Sequence, residues 1–336
     1  MKTLKRFSAD IIARHRACCQ PLVVKHLDAL MQRGGFGCPV QRRYLNRVRS
    51  FVEEEDGLVA EPKVLRRVVE EFEKVYFRFG SLESTMFEPV NKELEEVFNY
   101  KTFCTAEHTT KDKWGGVPLM REILSRVRYC PYCNAETVYV VERNEDDNDR
   151  KPIKSAYDHF FPQGRYPFLA LSIYNLIPSC YRCNSQFKRD EFKSLLAMPH
   201  PYIEDVDNMA CFVPLNIGGA WFSESLDVDL KIEFVSKDPN GKEAIANYDK
   251  LFNISNVYSQ LFKREAADAI IKSKVLNQSY LALLKDFFAS AGMKSVDVER
   301  LLLGVSSDRS NINNERLSKL IHDIRDMFTQ SVCNRL

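Results

Sequence analysis

The chain has 336 residues, 45% of them hydrophobic and 28% charged, which suits two or three packed domains of ordinary globular composition. Its N-terminal stretch MKTLKRFSADIIARHRACC is basic but lacks an apolar run of signal-peptide length, and no segment approaches the ~18 apolar residues of a membrane span. A cytoplasmic, reducing location without a membrane partner is therefore expected, where ten cysteines argue for metal ligation at some positions and against a disulfide framework.

The net charge of +2 hides an asymmetry. Residues 1–50 carry eleven Lys/Arg and two Asp, whereas residues 51–100 carry six Lys/Arg and thirteen Asp/Glu. The basic block could face a phosphate backbone. The expectation is instead that the two blocks are neighbouring helices whose charged faces pair.

In chain order, Ile11, Ile12, Leu22, Val23, Leu27 and Leu30 have helical spacing over residues 8–32, with a break expected near Pro21 and a stop at Gly34-Gly35. Val64, Val68, Val69, Phe72, Val75 and Tyr76 predict a second helix, opened after Pro62 and closed by Gly80. Residues 88–100 predict a short helix, and Leu119–Val127 an amphipathic one. Residues 1–115 thus read as a helical N-terminal domain.

Thr137–Glu142 (TVYVVE) is β-branched and aromatic and predicts a strand. RNEDDNDRKP follows as a solvated hairpin tip, Ile153–Phe161 as the returning strand closed by Pro162, and Ser185–Ala197 as a helix. Strand, loop, strand and helix make a ββα finger within residues 116–205. Residues 210–236 alternate as a strand pair before an Asp-Pro-Asn-Gly turn. Helices are expected from Lys242 onward, with breaks at Gly292 and Gly304 and a last helix over Asn314–Ser331. Residues 206–336 are then a strand pair plus helices, expected to dock a partner. The fold class expected is α+β: a mostly helical chain with an embedded ββα finger and a small β-rich segment after it.

The finger is framed by two Cys-x-x-Cys pairs, Cys130/Cys133 and Cys180/Cys183. Each pair has zinc-ligand spacing, and together they predict a structural four-sulfur zinc site. The 46 residues between them are too many for a zinc ribbon, so the ion would pin the ends of an inserted element. That element holds Asp158-His159. A histidine titrates near working pH and suits a general base, while a carboxylate suits a hard divalent ion. Adjacent strand residues point to opposite sides, so the two could take different tasks. The cysteines outside the pairs, Cys18, Cys19, Cys38, Cys104, Cys211 and Cys333, are expected as buried small apolar side chains.

Asp158-His159, Asn175 in the YNL turn and Asn184 directly after the last cysteine resemble the HNH branch of the His-Me finger nucleases, whose zinc-stabilised members carry the same flanking knuckles. The resemblance covers residues 128–192. It implies a ββα-metal finger in which His159 is the general base and Asn175 fixes the loop and orients it. Asp158 and Asn184 would share a catalytic Mg²⁺ or Mn²⁺. The third letter of the motif is Asn here, a weaker ligand than His. The resemblance also makes Lys188, one turn beyond Asn184, a candidate phosphate contact. Arg165, Arg182 and Arg189 are further candidates, each with a solvated surface charge as the alternative. Tyr157, Phe160 and Phe161 are expected in the core, and His200 in a chain reversal.

The wider phrase DHFFP…RYP…YNLIPSC…CN…K resembles the HNH nucleases paired with an ATPase in bacterial anti-phage systems, of the Septu and retron-linked kinds. It implies an ATPase partner protein in a defence complex; the substrate expected is nucleic acid, DNA in preference to RNA. Two other classes remain open: a standalone restriction-type DNA endonuclease, and a non-catalytic zinc module that binds nucleic acid or protein.

Overall fold

The computed structural model describes residues 1–33, 38–77, 86–105, 114–143, 152–188, 195–217, 230–275, 278–293 and 296–329. They are mostly helical with a few small antiparallel sheets, in keeping with an α+β class. They form two compact units that interleave along the chain. One holds Met1–Thr3, Val127–Thr137 and Glu204–Leu336; the other holds Leu4–Arg126 and Val138–Ile203. The boundary expected at 115/116 falls inside the second of these, and the expected 116–205 segment contributes to both.

The unit Leu4–Arg126 with Val138–Ile203 opens on α1 (Ala9–Arg33), which runs unbroken through Pro21. A proline costs one ladder hydrogen bond and crowds the preceding turn. The helix continues because its apolar stripe is buried on both sides of the proline, through Cys19, Val23, Leu27 and Leu30. Next come α2 (Pro39–Glu54) and α3 (Pro62–Phe72), each with a proline in its first turn, where no donor is missed. The second of them runs on as a π-helical turn over Glu73–Phe77, and α4 (Glu88–Val97), α5 (Tyr100–Thr105) and α6 (Gly116–Leu124) follow. The ends expected at Gly34-Gly35 and Gly80 lie outside the described residues.

The charged blocks pair as expected. Arg33 meets Glu93 at 3.3 Å, Arg47 meets both Glu71 at 2.7 Å and Glu55 at 2.8 Å, and Arg16 meets Asp56 at 2.9 Å. The exposed pairs among them, those of Arg33 and Arg16, contribute little stability, about 0–1 kcal/mol each. Their consequence is that these arginines are already engaged with carboxylates.

The strands depart from the expected single hairpin. β1 (Val140–Val141) pairs with β2 (Ile153–Lys154), while β3 (Ala156–His159) turns away to pair with β4 (Leu176–Ser179). The break falls at Ser155, whose backbone N–H and hydroxyl both bond back to Tyr139. The strand Leu176–Ser179 was not expected, because Pro178 cannot donate to a ladder. It is tolerated here in a two-stranded sheet, opposite Tyr157. The helix expected over Ser185–Ala197 is instead a π-helical segment, Arg182–Lys188, that begins inside the second cysteine knuckle; Leu195–Ala197 is a 3₁₀ turn, and residues 189–194, Arg189 among them, lie outside the described residues.

The β3–β4 loop is anchored by aromatic packing. Phe168 lies 4.4 Å from Phe72, ring centroid to centroid, and edges onto Tyr44 and Phe51. Tyr157, on the strand itself, donates its hydroxyl to the Gly116 carbonyl at 2.7 Å. Tyr157, Phe160 and Phe161 are buried, in the core role expected for them.

His15 of α1 is fully buried. It accepts from the Trp114 indole N–H at Nδ1 (2.9 Å), which leaves Nε2 to donate to the Leu171 carbonyl (2.8 Å). Burial lowers its pKa to about 4 from an ordinary 6.5. The folded state therefore favours the neutral ring. The stabilisation is complete above pH 6.5 and is lost as the pH falls from 6.5 to about 4, roughly 3 kcal/mol across that window. The His15 ring resonances should stay those of a neutral imidazole down to about pH 4, with urea midpoints falling over the same range. Titration of His15 near pH 6.5 would contradict this burial.

In the other unit, α7 (Val206–Met209) leads into β5 (Ala210–Leu215), paired with β6 (Lys231–Ser236) in the alternating pattern expected. Phe212 and Phe234 point inward beside Tyr248 and Tyr258 of α8 (Lys242–Phe252) and α9 (Ile254–Leu261). Then follow α10 (Lys263–Val275), α11 (Gln278–Ser290), α12 (Val298–Leu303) and α13 (Ser318–Thr329). Gly292 and Gly304 mark breaks as expected, both with left-handed φ near +80°. A buried ionic cluster joins Lys319 and Arg309 to Asp207 and Asp323. No helix among the described residues is long and apolar enough to cross a membrane.

Candidate active site and metal centre

Asp158 and His159 occupy the last two positions of β3, the first buried and the second half-buried, and both reach the same cleft. The imidazole bonds through Nε2 to the Ala170 carbonyl at 3.0 Å and is edged by the Tyr100 ring, centroids 4.4 Å apart. A carbonyl only accepts, so Nε2 carries the proton and Nδ1 keeps its lone pair. Desolvation lowers the His159 pKa to about 4, against the opposing pull of the Ala170 carbonyl and the Asp158 charge. The ring is then neutral at physiological pH and able to accept a proton at Nδ1.

Asn175, fully buried at the entry to β4, holds the strand exit together. Its Oδ1 accepts from the Phe161 N–H at 2.8 Å, and its Nδ2 donates to the carbonyls of Phe161 and Leu169, each at 3.1 Å. The backbone adds Phe160 N–H to the Asn175 carbonyl at 2.9 Å. Asn175 thus braces Leu169, next to the Ala170 carbonyl that receives the histidine. Its action on the ring runs through the loop backbone.

Asn184 lies half-buried in the second knuckle, its N–H donating to the Cys180 carbonyl at 3.0 Å. Asp158, His159 and Asn184 all line one open cleft of about 400 Å³, together with the Pro162–Gly164 turn and Glu95. Glu95 is an exposed residue of α4 that the sequence analysis did not single out, and nothing local distinguishes it from Glu93 or Glu96 on the same helix.

The expected phosphate contacts are placed differently. Lys188 is buried, its ammonium 2.8 Å from each carboxylate oxygen of Asp158 and bonded also to the His159 carbonyl. Arg165 is built into the helical core: it makes a two-pronged pair with Glu73, shared with the Tyr166 hydroxyl, and stacks over Phe77 at 4.8 Å. Arg182 is half-buried within the second knuckle. His200 is buried against Phe160, ring centroids 4.2 Å apart, and its carbonyl closes the turn to Ile203 as expected of a chain reversal.

The four framing cysteines converge. Cys130, Cys133, Cys180 and Cys183 are all buried, and their sulfurs lie within 4.8 Å of one another. A tetrahedral zinc with Zn–S near ~2.3 Å sets sulfurs about 3.8 Å apart, so this donor set could hold such an ion. Both knuckles have local support. In the first, the Asn134 N–H bonds to the Cys130 carbonyl at 2.8 Å with Asn134 in the left-handed region (φ 53°). In the second, the Cys183 N–H points to the Cys180 sulfur at 3.5 Å. A hard divalent ion is a separate question. Asp158, Asn184 and Glu95 supply the oxygen chemistry such an ion prefers, but both Asp158 oxygens already accept from Lys188.

Comparison with protein-family models, with curated proteins and with solved structures returns no match to this chain.

Proposed function

We propose that this chain is a zinc-stabilised, divalent-metal-dependent HNH endonuclease that hydrolyses nucleic-acid phosphodiester bonds, DNA in preference to RNA. The observation that carries the reading is one cleft that gathers a neutral histidine, with Nε2 committed to a carbonyl, beside Asp158 and Asn184. The order of β3, braced loop, β4 and a helical segment starting in a cysteine knuckle fits the ββα finger that the motif implies.

In this mechanism His159 accepts a proton at Nδ1 from a water molecule as that water attacks phosphorus. The bond to Ala170 and the Asn175 brace hold the ring in the required tautomer and orientation. Asp158 and Asn184, with Glu95 beside them, would hold a Mg²⁺ or Mn²⁺ ion, which when bound supplies positive charge for the phosphate and leaving oxygen. The cysteine cluster would hold zinc away from the chemistry, as a clasp on the fold.

The defence role rests on the wider sequence phrase, which supports a nuclease directed by an ATPase partner. Co-purification of such a partner from the native host tests that part. Catalysis is tested by incubating purified protein with plasmid, oligonucleotide and transfer-RNA pools. Cutting should require Mg²⁺ or Mn²⁺, stop on chelation and return on re-addition. Tight nucleic-acid binding with no cutting in any divalent ion would favour the non-catalytic zinc module.

A further inference from the structure

Lys188 forms a buried ion pair with Asp158, a carboxylate of the cleft lining. Both oxygens of one carboxylate accept from one ammonium at 2.8 Å, with the two side chains 1% and 4% exposed. Asp158 is also the carboxylate to which the nuclease reading assigns a divalent ion, and the present inference rests on that reading. A divalent cation arriving at Asp158 would meet the Lys188 ammonium at close range, and the repulsion between them is strong where little water intervenes.

We propose that Lys188 is the resident counter-ion of Asp158, that a divalent cation enters the cleft by displacing it, and that the displaced ammonium then serves the substrate phosphate. The arrangement gives each state a satisfied carboxylate. Without the cation, removing Lys188 would strip a buried carboxylate of its ammonium, which is strongly unfavourable; with the cation, a replacement charge is in place. The lysine side chain can make this exchange without moving the backbone, because its charge rides on a flexible four-carbon stem. Lys188 closes the helical segment that carries Asn184, a residue of the cleft lining, so an ammonium released from Asp158 starts about one turn from that lining. Cation binding and phosphate binding then favour each other, and by linkage the effect is reciprocal.

The test uses the full chain with zinc bound and Mn²⁺ as the probe. Mn²⁺ occupancy is followed by electron paramagnetic resonance, and acylation of Lys188 by an amine-reactive reagent is followed by mass spectrometry. In the wild-type protein Lys188 should be protected without Mn²⁺ and acylated about tenfold or more faster when Mn²⁺ saturates the site. Lys188→Met should bind Mn²⁺ about tenfold more tightly than wild type, and adding Asp158→Asn to that variant should abolish the gain. Protection of Lys188 that persists while Asp158-dependent Mn²⁺ is bound would overturn the proposal and leave the metal assignment standing. Mn²⁺ binding that is indifferent to Asp158→Asn would remove the metal assignment itself, and the proposal with it. Should Lys188→Met fail to fold, the wild-type acylation series decides alone.

Discussion

His159→Ala is expected to lower nucleic-acid cleavage about 10³-fold while leaving the melting temperature and zinc content close to wild type. The size of the effect follows from the role. A positioned general base contributes about 10²–10⁴-fold, and Asn184, an amide, cannot take its place. The mild effect on folding follows from the site. His159 is partly exposed, its ring makes one hydrogen bond to a loop carbonyl, and the strand end is braced independently by Asn175. Steady-state nicking of a supercoiled plasmid in Mg²⁺, with calorimetry on the same samples, reads both quantities. Cleavage at the wild-type rate would remove His159 from the chemistry; a collapse of the melting transition would make it structural.

Cys130→Ser is expected to have the opposite signature. It removes one of four buried sulfurs that lie within 4.8 Å of one another, and the other three cannot close a tetrahedral set. Structural zinc sites contribute folding free energy outright, about 10–16 kcal/mol in isolated finger peptides, so losing one ligand should cost several kcal/mol here. The expected result is loss of stoichiometric zinc and of near-ultraviolet circular dichroism, with poor soluble yield. Cleavage would disappear as a secondary effect. A soluble Cys130→Ser protein with a wild-type melting curve would mean that the cluster does not support the fold.

The two substitutions separate chemistry from architecture, and the ease of reading each residue in the sequence divides along a similar line. The cysteine pairs were legible because their information is local, a spacing of three, and the strand that carries Asp158-His159 was legible from its own residues. Asn175 was legible as a loop residue, but its partners, the carbonyls of Phe161 and Leu169, were not. Leu176–Ser179 was missed as a strand because Pro178 breaks the propensity signal, and α1 was expected to break at Pro21 for the same reason. In both cases tertiary burial outweighed a local penalty. Arg165 looked like a candidate phosphate contact because its partner Glu73 lies far away in sequence, with a separation of 92 residues.

By itself the sequence determined which residues could be metal ligands or a base, the helical character of most of the chain, and the strand pair at 210–236. Those properties depend on side-chain chemistry and on periodicities of two to four residues. Tertiary structure decided that Glu95 of α4 joins the cleft of Asp158, His159 and Asn184, and that Lys188 turns inward to Asp158. Contacts of that kind depend on how distant segments pack, where burial and charge pairing act through space with no trace in local spacing.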